Sequence, residues 1–249
     1  MLGGSRPRYR FYKQERSAGA RVLAVLKFLL LLFLAHELVT TFLVAGYSVE
    51  SSSMRPTLEP GDRLIVSSLP YGAWMPLPGT RAPALGSPER GDLVVVRTSY
   101  TPRPARLLYP VRSALRFFSA GRLGDERDDW RSEIMLRRIV AVPGDTVRMD
   151  DFIFYVRDPA GDSFRSEFEA SGIRYPLIRD GIPSGWSGDL PFAADMEAME
   201  LGENEYFLAS DDRIAGLDSR HRGPASGERL LSRVVLRYWP ISRFGVPRP

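Results

Sequence analysis

The chain has no cysteine. That excludes a disulfide framework, a thiolate metal site and a cysteine nucleophile. Lysine is nearly missing too: Lys13 and Lys27 stand against 32 arginines among the 34 basic residues. A coding bias towards arginine suffices for that ratio, so a single arginine in place of a lysine carries little weight alone. Histidine is limited to His36 and His221, which leaves few groups able to exchange a proton near neutral pH. No internal repeat of about 20–50 residues is visible, so a solenoid or propeller is excluded. Neither a metal nor a cofactor is expected.

What is present suits one sizeable domain with an anchor. The 249 residues are 44% hydrophobic and 26% charged, ordinary for a chain that folds. The formal charge of +4 admits a nucleic-acid or an anionic-lipid partner. Basic residues are spread along the chain except for one N-terminal cluster. We therefore read the charge as membrane-related and expect no nucleic-acid partner.

From Val22 to Ala45 the sequence is almost wholly apolar over 24 residues. As a helix this run is about 36 Å long, enough to cross a bilayer with some tilt. It exceeds the core of a cleavable signal peptide and reads as a permanent anchor. Arg6, Arg8, Arg10, Lys13, Arg16 and Arg21 precede it, so residues 1–21 should be cytoplasmic and residues 46–249 extracytoplasmic. Lys27 lies near enough to the basic end to snorkel, and we read His36 and Glu37 as facing the outer interface or pairing with a partner helix.

Beyond Gly46 the chain breaks into short apolar runs bounded by Gly, Pro and Asp. They are Arg63–Ser67, Asp92–Arg97, Ile139–Val142, Phe152–Val156, Tyr206–Ala209 and Leu230–Tyr238. Their length and their Val, Ile, Phe and Tyr content predict a mainly β domain. Ser99–Glu133 holds a stretch of amphipathic character that suits either a headgroup-resting helix or a solvated loop. Asp158–Leu201 reads as a loop-rich insertion or small subdomain.

Directly after the anchor comes Ser51-Ser52-Ser53-Met54-Arg55-Pro56-Thr57-Leu58. A serine so close to the membrane exit suits a nucleophile acting on a membrane-held substrate, provided that a base and oxyanion donors accompany it. Ser-Met-x-Pro-Thr-Leu after a single anchor resembles the nucleophile box of type I signal peptidases. Four later segments are similar to that family's boxes and follow in its order. These are Pro88–Val96, with its Arg-Gly-Asp start; Arg137–Asp145, ending in Pro-Gly-Asp; Ser210–Arg220; and the closing Trp239-Pro240.

The resemblance implies a mainly antiparallel β domain behind one transmembrane helix, with an exposed apolar patch for membrane lipid. It implies a membrane serine endopeptidase of the bacterial cytoplasmic membrane that removes signal peptides from exported preproteins, working beside the protein-translocation machinery. By the same resemblance Ser53 is the nucleophile, and Ser51 forms the oxyanion hole with the Ser53 amide. Met54 and Pro56 shape the loop beneath, and Asp211, Asp218 and Arg220 support the site.

Three positions depart from the family pattern. Arg137 stands where the family has its general-base lysine. A buried lysine can become neutral, whereas a guanidinium stays protonated and has no lone pair for the serine proton. Gly216 stands where a serine orients that lysine, and its missing side chain should leave room for the larger guanidinium. Ser210 and Asp212 stand where Gly and Asn are usual, and Asp212 is expected to pair with Arg137 or Arg213. His221 is the candidate substitute base by its pKa. It belongs to a different box, however, because related eukaryotic-type enzymes carry their histidine at the place of Arg137. An alternative function follows from these changes, that of a non-catalytic paralogue binding preproteins or a secretion partner.

Overall fold

A computed structural model describes residues 18–38, 45–72, 83–98, 134–179, 193–214 and 216–247. Contacts divide the chain into two units, residues 1–37 and 38–249.

In the first unit lies helix α1, Ala18–Leu38. Its stretch Ala18–His36 has a mean hydropathy of 2.2 and none of its window is covered by protein. A helix this long and this apolar is able to cross a membrane. At 21 residues it is about 31 Å long, the thickness of a bilayer's hydrocarbon core. The last residue of the predicted 22–45 anchor, Ala45, lies in strand β1, Ala45–Ser48, its backbone paired with Val66.

The second unit is antiparallel β. The strands are β2 Arg63–Ser67, β3 Leu93–Arg97, β4 Ile134–Ala141, β5 Thr146–Asp150, β6 Ile153–Arg157, β7 Arg165–Ser166, β8 Met196–Glu200, β9 Glu205–Ala209, β10 Ala225–Ser226 and β11 Leu230–Trp239. They form a seven-stranded sheet in the order β1-β2-β11-β3-β4-β9-β10 and a four-stranded sheet in the order β7-β6-β5-β8. All six predicted runs are strands, with ends shifted by a few residues.

Strand β3 sits well inside the large sheet and is covered on both faces. Leu93 and Val95 join a core with Met54, Leu58, Leu64 and Val66, while Val94 and Val96 join another with Ile139, Leu208 and Leu230. This explains its unbroken apolar run, since alternate residues of a strand point to opposite faces and here both are dry. Phe154, Phe207, Val147 and Val156 fill a third core.

Asp158–Leu201, expected as a loop-rich insertion or small subdomain, holds several short elements among its described residues. It supplies β7 and β8, the two edges of the small sheet, and helix α2, Glu167–Ser171. A capping box starts α2: Ser166 accepts from the Glu169 N–H while the Glu169 carboxylate accepts from that of Ser166. The amphipathic stretch within Ser99–Glu133 lies outside the described residues.

Candidate active site

The nucleophile candidate sits on a tight turn. Ser51 caps the single 3-10 turn Ser52–Met54, its Oγ accepting from the Ser53 N–H at 3.2 Å. Met54 is buried in the core beneath, and Leu58 N–H returns to the Met54 carbonyl. The Arg55–Pro56 peptide that follows is cis. From the other side, the Asp212 N–H donates to the Ser53 carbonyl at 3.0 Å. Ser53 is thus fixed fore and aft and is only 4% exposed.

Arg137 and Arg138 are neighbours on β4 and so leave it in opposite directions. Arg137 reaches Ser53. Its Nη1 donates to Ser53 Oγ at 2.8 Å and to the Leu136 carbonyl at 2.6 Å, and its Nε and Nη2 both donate to the Leu217 carbonyl. Every one of these acceptors is uncharged. Among the described residues no carboxylate lies within ion-pair distance, although Arg137 is 6% exposed. Burial pushes its pKa down, Asp218 opposes that, and Arg222 adds to it. Asp212 does not supply the expected charge: its Oδ1 accepts from Ile214 N–H, and Arg213 pairs with Glu167.

Arg138 is held differently. Its Nε and Nη2 grip both oxygens of Asp211 at 2.8 and 2.6 Å, its Nη1 donates to the Gly91 carbonyl, and its guanidinium lies 3.7 Å from the Tyr175 ring centre. Thr57 Oγ1 donates to the same Asp211 at 2.5 Å, which ties this cluster to the nucleophile turn. The network continues away from the site. Glu167 accepts from Arg213 at 2.5 Å, from the Tyr175 hydroxyl and from Phe154 N–H.

Asp218 is the knot of the last segment. It caps helix α3, Ser219–Arg222, accepting from the Arg220 N–H, from Arg220 Nε and Nη2, and from the Ser210 N–H. Burial works against its charge, yet Arg220 and the Ser210 N–H hold its pKa below the usual carboxylate range.

Gly216 corrects the expectation that a missing side chain leaves room for Arg137. A Cβ built there would run into Oγ and Cβ of Ser210, so that volume is already filled. His221 Nδ1 lies 3.8 Å from Asp218, burial lowers its pKa with Asp218 opposing, and no hydrogen bond joins it to Ser53.

Ser53 and Arg137 are therefore in direct contact, with the Leu217 carbonyl beside them. Asp211 pairs with Arg138 and Asp218 with Arg220 nearby, and His221 makes no hydrogen bond to Ser53. Sequence reasoning missed Thr57, Tyr175 and Glu167 as members of the buried network. Thr57 had a visible signal, its place in the nucleophile box; Tyr175 and Glu167 had none, because their partners are distant in sequence. No group of three or more His, Asp or Glu side chains suited to a metal occurs among the described residues.

Chemically, the site can hold a serine oxygen and stabilise negative charge on it in a dry setting. A guanidinium donating to that oxygen cannot take its proton.

The model of the family "Signal peptidase, peptidase S26" matches residues 22–239. Similar curated proteins include the "Probable signal peptidase I-2" of Synechocystis sp., 26% identical over 84% of this chain and 69% of the relative. Signal peptidase I of Bacillus caldolyticus is 23% identical over 82% of this chain and 84% of its own length. The thylakoidal processing peptidase 1 of Arabidopsis thaliana is 26% identical over 79% of this chain and 42% of its own length. With the family match running from the apolar helix to the end of β11, and the Ser53 turn and β4 inside it, the chain belongs to the signal peptidase family of serine peptidases, S26.

Proposed function

We propose that this chain is a membrane-anchored serine endopeptidase that removes signal peptides from exported preproteins, with Ser53 as nucleophile and Arg137 as an electrostatic partner. The observation that carries the reading is the 2.8 Å hydrogen bond from Arg137 to Ser53 Oγ inside a buried site. A charge-assisted donor of this kind favours the alkoxide over the hydroxyl and so lowers the proton affinity of Ser53. The proton passes to water or hydroxide. Ser53 Oγ then bonds to the scissile carbonyl carbon, whose π pair moves onto oxygen. Ser51 has already accepted the Ser53 N–H, so its own hydroxyl hydrogen is available to that oxyanion. Collapse expels the new amino terminus, which takes its proton from water, and a second water hydrolyses the acyl-enzyme.

The basic N-terminal segment supports a cytoplasmic N-terminus and an extracytoplasmic β domain in the bacterial cytoplasmic membrane. Trp239, Ile241 and Phe244, 49, 73 and 63% exposed, support a lipid-facing edge next to the end of β11. Such a setting suits preproteins delivered by the translocation machinery.

The test is cleavage of a model preprotein in liposomes. Wild type should cleave at a rate that climbs with pH through the neutral range, since the proton leaves to solvent. Ser53→Ala should lower that rate by about 10³-fold or more. A bell-shaped profile centred near pH 7, or retention of cleavage in Ser53→Ala, would overturn the mechanism.

A second reading follows from chemistry alone, since a guanidinium beside Ser53 Oγ cannot take its proton. On this reading the chain binds preproteins without cutting them. Crosslinking of a signal peptide to the β domain, with no cleavage at any pH, is its expected outcome.

A further inference from the structure

Three observations converge on Ser210. The register that sets Arg138 opposite Ala209 brings the following residue, Ser210, across from Arg137, and facing residues of an antiparallel pair share a side. Ser210 is fully buried, and its hydroxyl has no hydrogen-bond partner among the described residues. The Cβ that a residue at 216 would add falls on the Ser210 side chain and 3.3 Å from the Asp212 carbonyl.

The head group of Arg137 lies beside this volume. It bonds the carbonyl of Leu217, the residue after Gly216, while Asp218 accepts the Ser210 N–H. Arg137 has five N–H groups, and four hydrogen bonds use them. One donor is left over on Arg137, and Ser210 Oγ has no partner.

We propose that positions 210 and 216 share one volume with room for a single hydroxyl, and that Ser210 carries it here as the positioning residue for the side chain at 137. A cationic head group that leaves Ser53 as substrate arrives meets an acceptor within the same pocket and stays aligned with the nucleophile. This rests on the reading of Ser53 and residue 137 as the reacting site.

The test uses the full chain in detergent with Arg137→Lys as background. The natural chain has two lysines, so with carbon-13 lysine the added amine is assigned by difference and titrated directly. Ser210→Ala should lower its titration midpoint by about one pH unit, because a desolvated ammonium loses an acceptor. If this background cleaves preprotein, the same change should lower kcat about tenfold and leave KM unchanged. Moving the hydroxyl, with Ser210→Gly and Gly216→Ser together, should restore the midpoint. In the otherwise natural chain, Gly216→Ser alone should lower Tm by about 4 °C or more, and adding Ser210→Gly should recover it.

An unmoved midpoint in Ser210→Ala, or a Gly216→Ser chain with the natural Tm, would overturn the proposal. If the midpoint moves while no variant cleaves preprotein, the peptidase reading fails and the positioning role stands.

Discussion

Arg137 and Arg138 are consecutive, both buried, and physically opposite. Burial acts against the charge of each. For Arg138 the two-pronged Asp211 grip, helped by the Tyr175 ring, outweighs that penalty and raises its pKa. For Arg137 no carboxylate among the described residues is close enough, and burial lowers its pKa. A folded chain keeps a buried charge either because a partner compensates it or because the charge is used. Arg138 meets the first condition and, through Asp211, holds Thr57, next to the Ser53 turn, to β4. Arg137 has no such partner among the described residues and donates to the oxygen of Ser53, as the second condition requires.

The sharpest way to break this contrast is to remove each charge in turn. Arg138→Ala should destabilise the chain by about 3–5 kcal/mol, because Asp211 is left buried and unpaired. Arg137→Met should leave stability unchanged or raise it by about 1 kcal/mol, since an uncompensated charge gives way to an apolar chain of similar length. Urea unfolding in detergent measures both, and equal losses would erase the distinction.

A second test uses pH. Asp218 has a depressed folded pKa, so its contribution is complete above the unfolded carboxylate value of about 4 and is lost as pH falls through the lower, folded value. Wild type should therefore lose stability below about pH 4 more steeply than Asp218→Asn, as unfolding midpoints across that range would report. Parallel curves would show that Arg220 does not depend on this carboxylate. The smallest effect is expected at Ser51→Ala. It removes the acceptor of the Ser53 N–H and should cost about 0.5–1 kcal/mol, read in the same urea series.

Much of the scaffold was legible in the sequence. Runs such as RLIVS and LVVVR announce strands because β-branched residues fit a covered, pleated surface. The apolar run announced α1, although Ala45 went to the sheet, since backbone pairing with Val66 lies beyond the reach of hydropathy. Ser53 and Arg137 could be singled out because their motifs have fixed order. The filled space beside Gly216 could not be: residues 210 and 216 are each ordinary alone, and only the turn that folds one onto the other makes them compete. The Glu167 network was hidden for the same reason. Its Arg213 partner is 46 positions away, and no local period records such a pairing.

The overlap between Ser210 and the space above Gly216 also constrains history. Two positions that cannot both bear a side chain cannot exchange a hydroxyl through an intermediate that carries it at both. A lineage that moved the group from one position to the other crossed more easily through a chain with glycine at both sites, loose but free of collision. Each step then has its sign set by the other residue, so the two positions are coupled through space before any effect on activity.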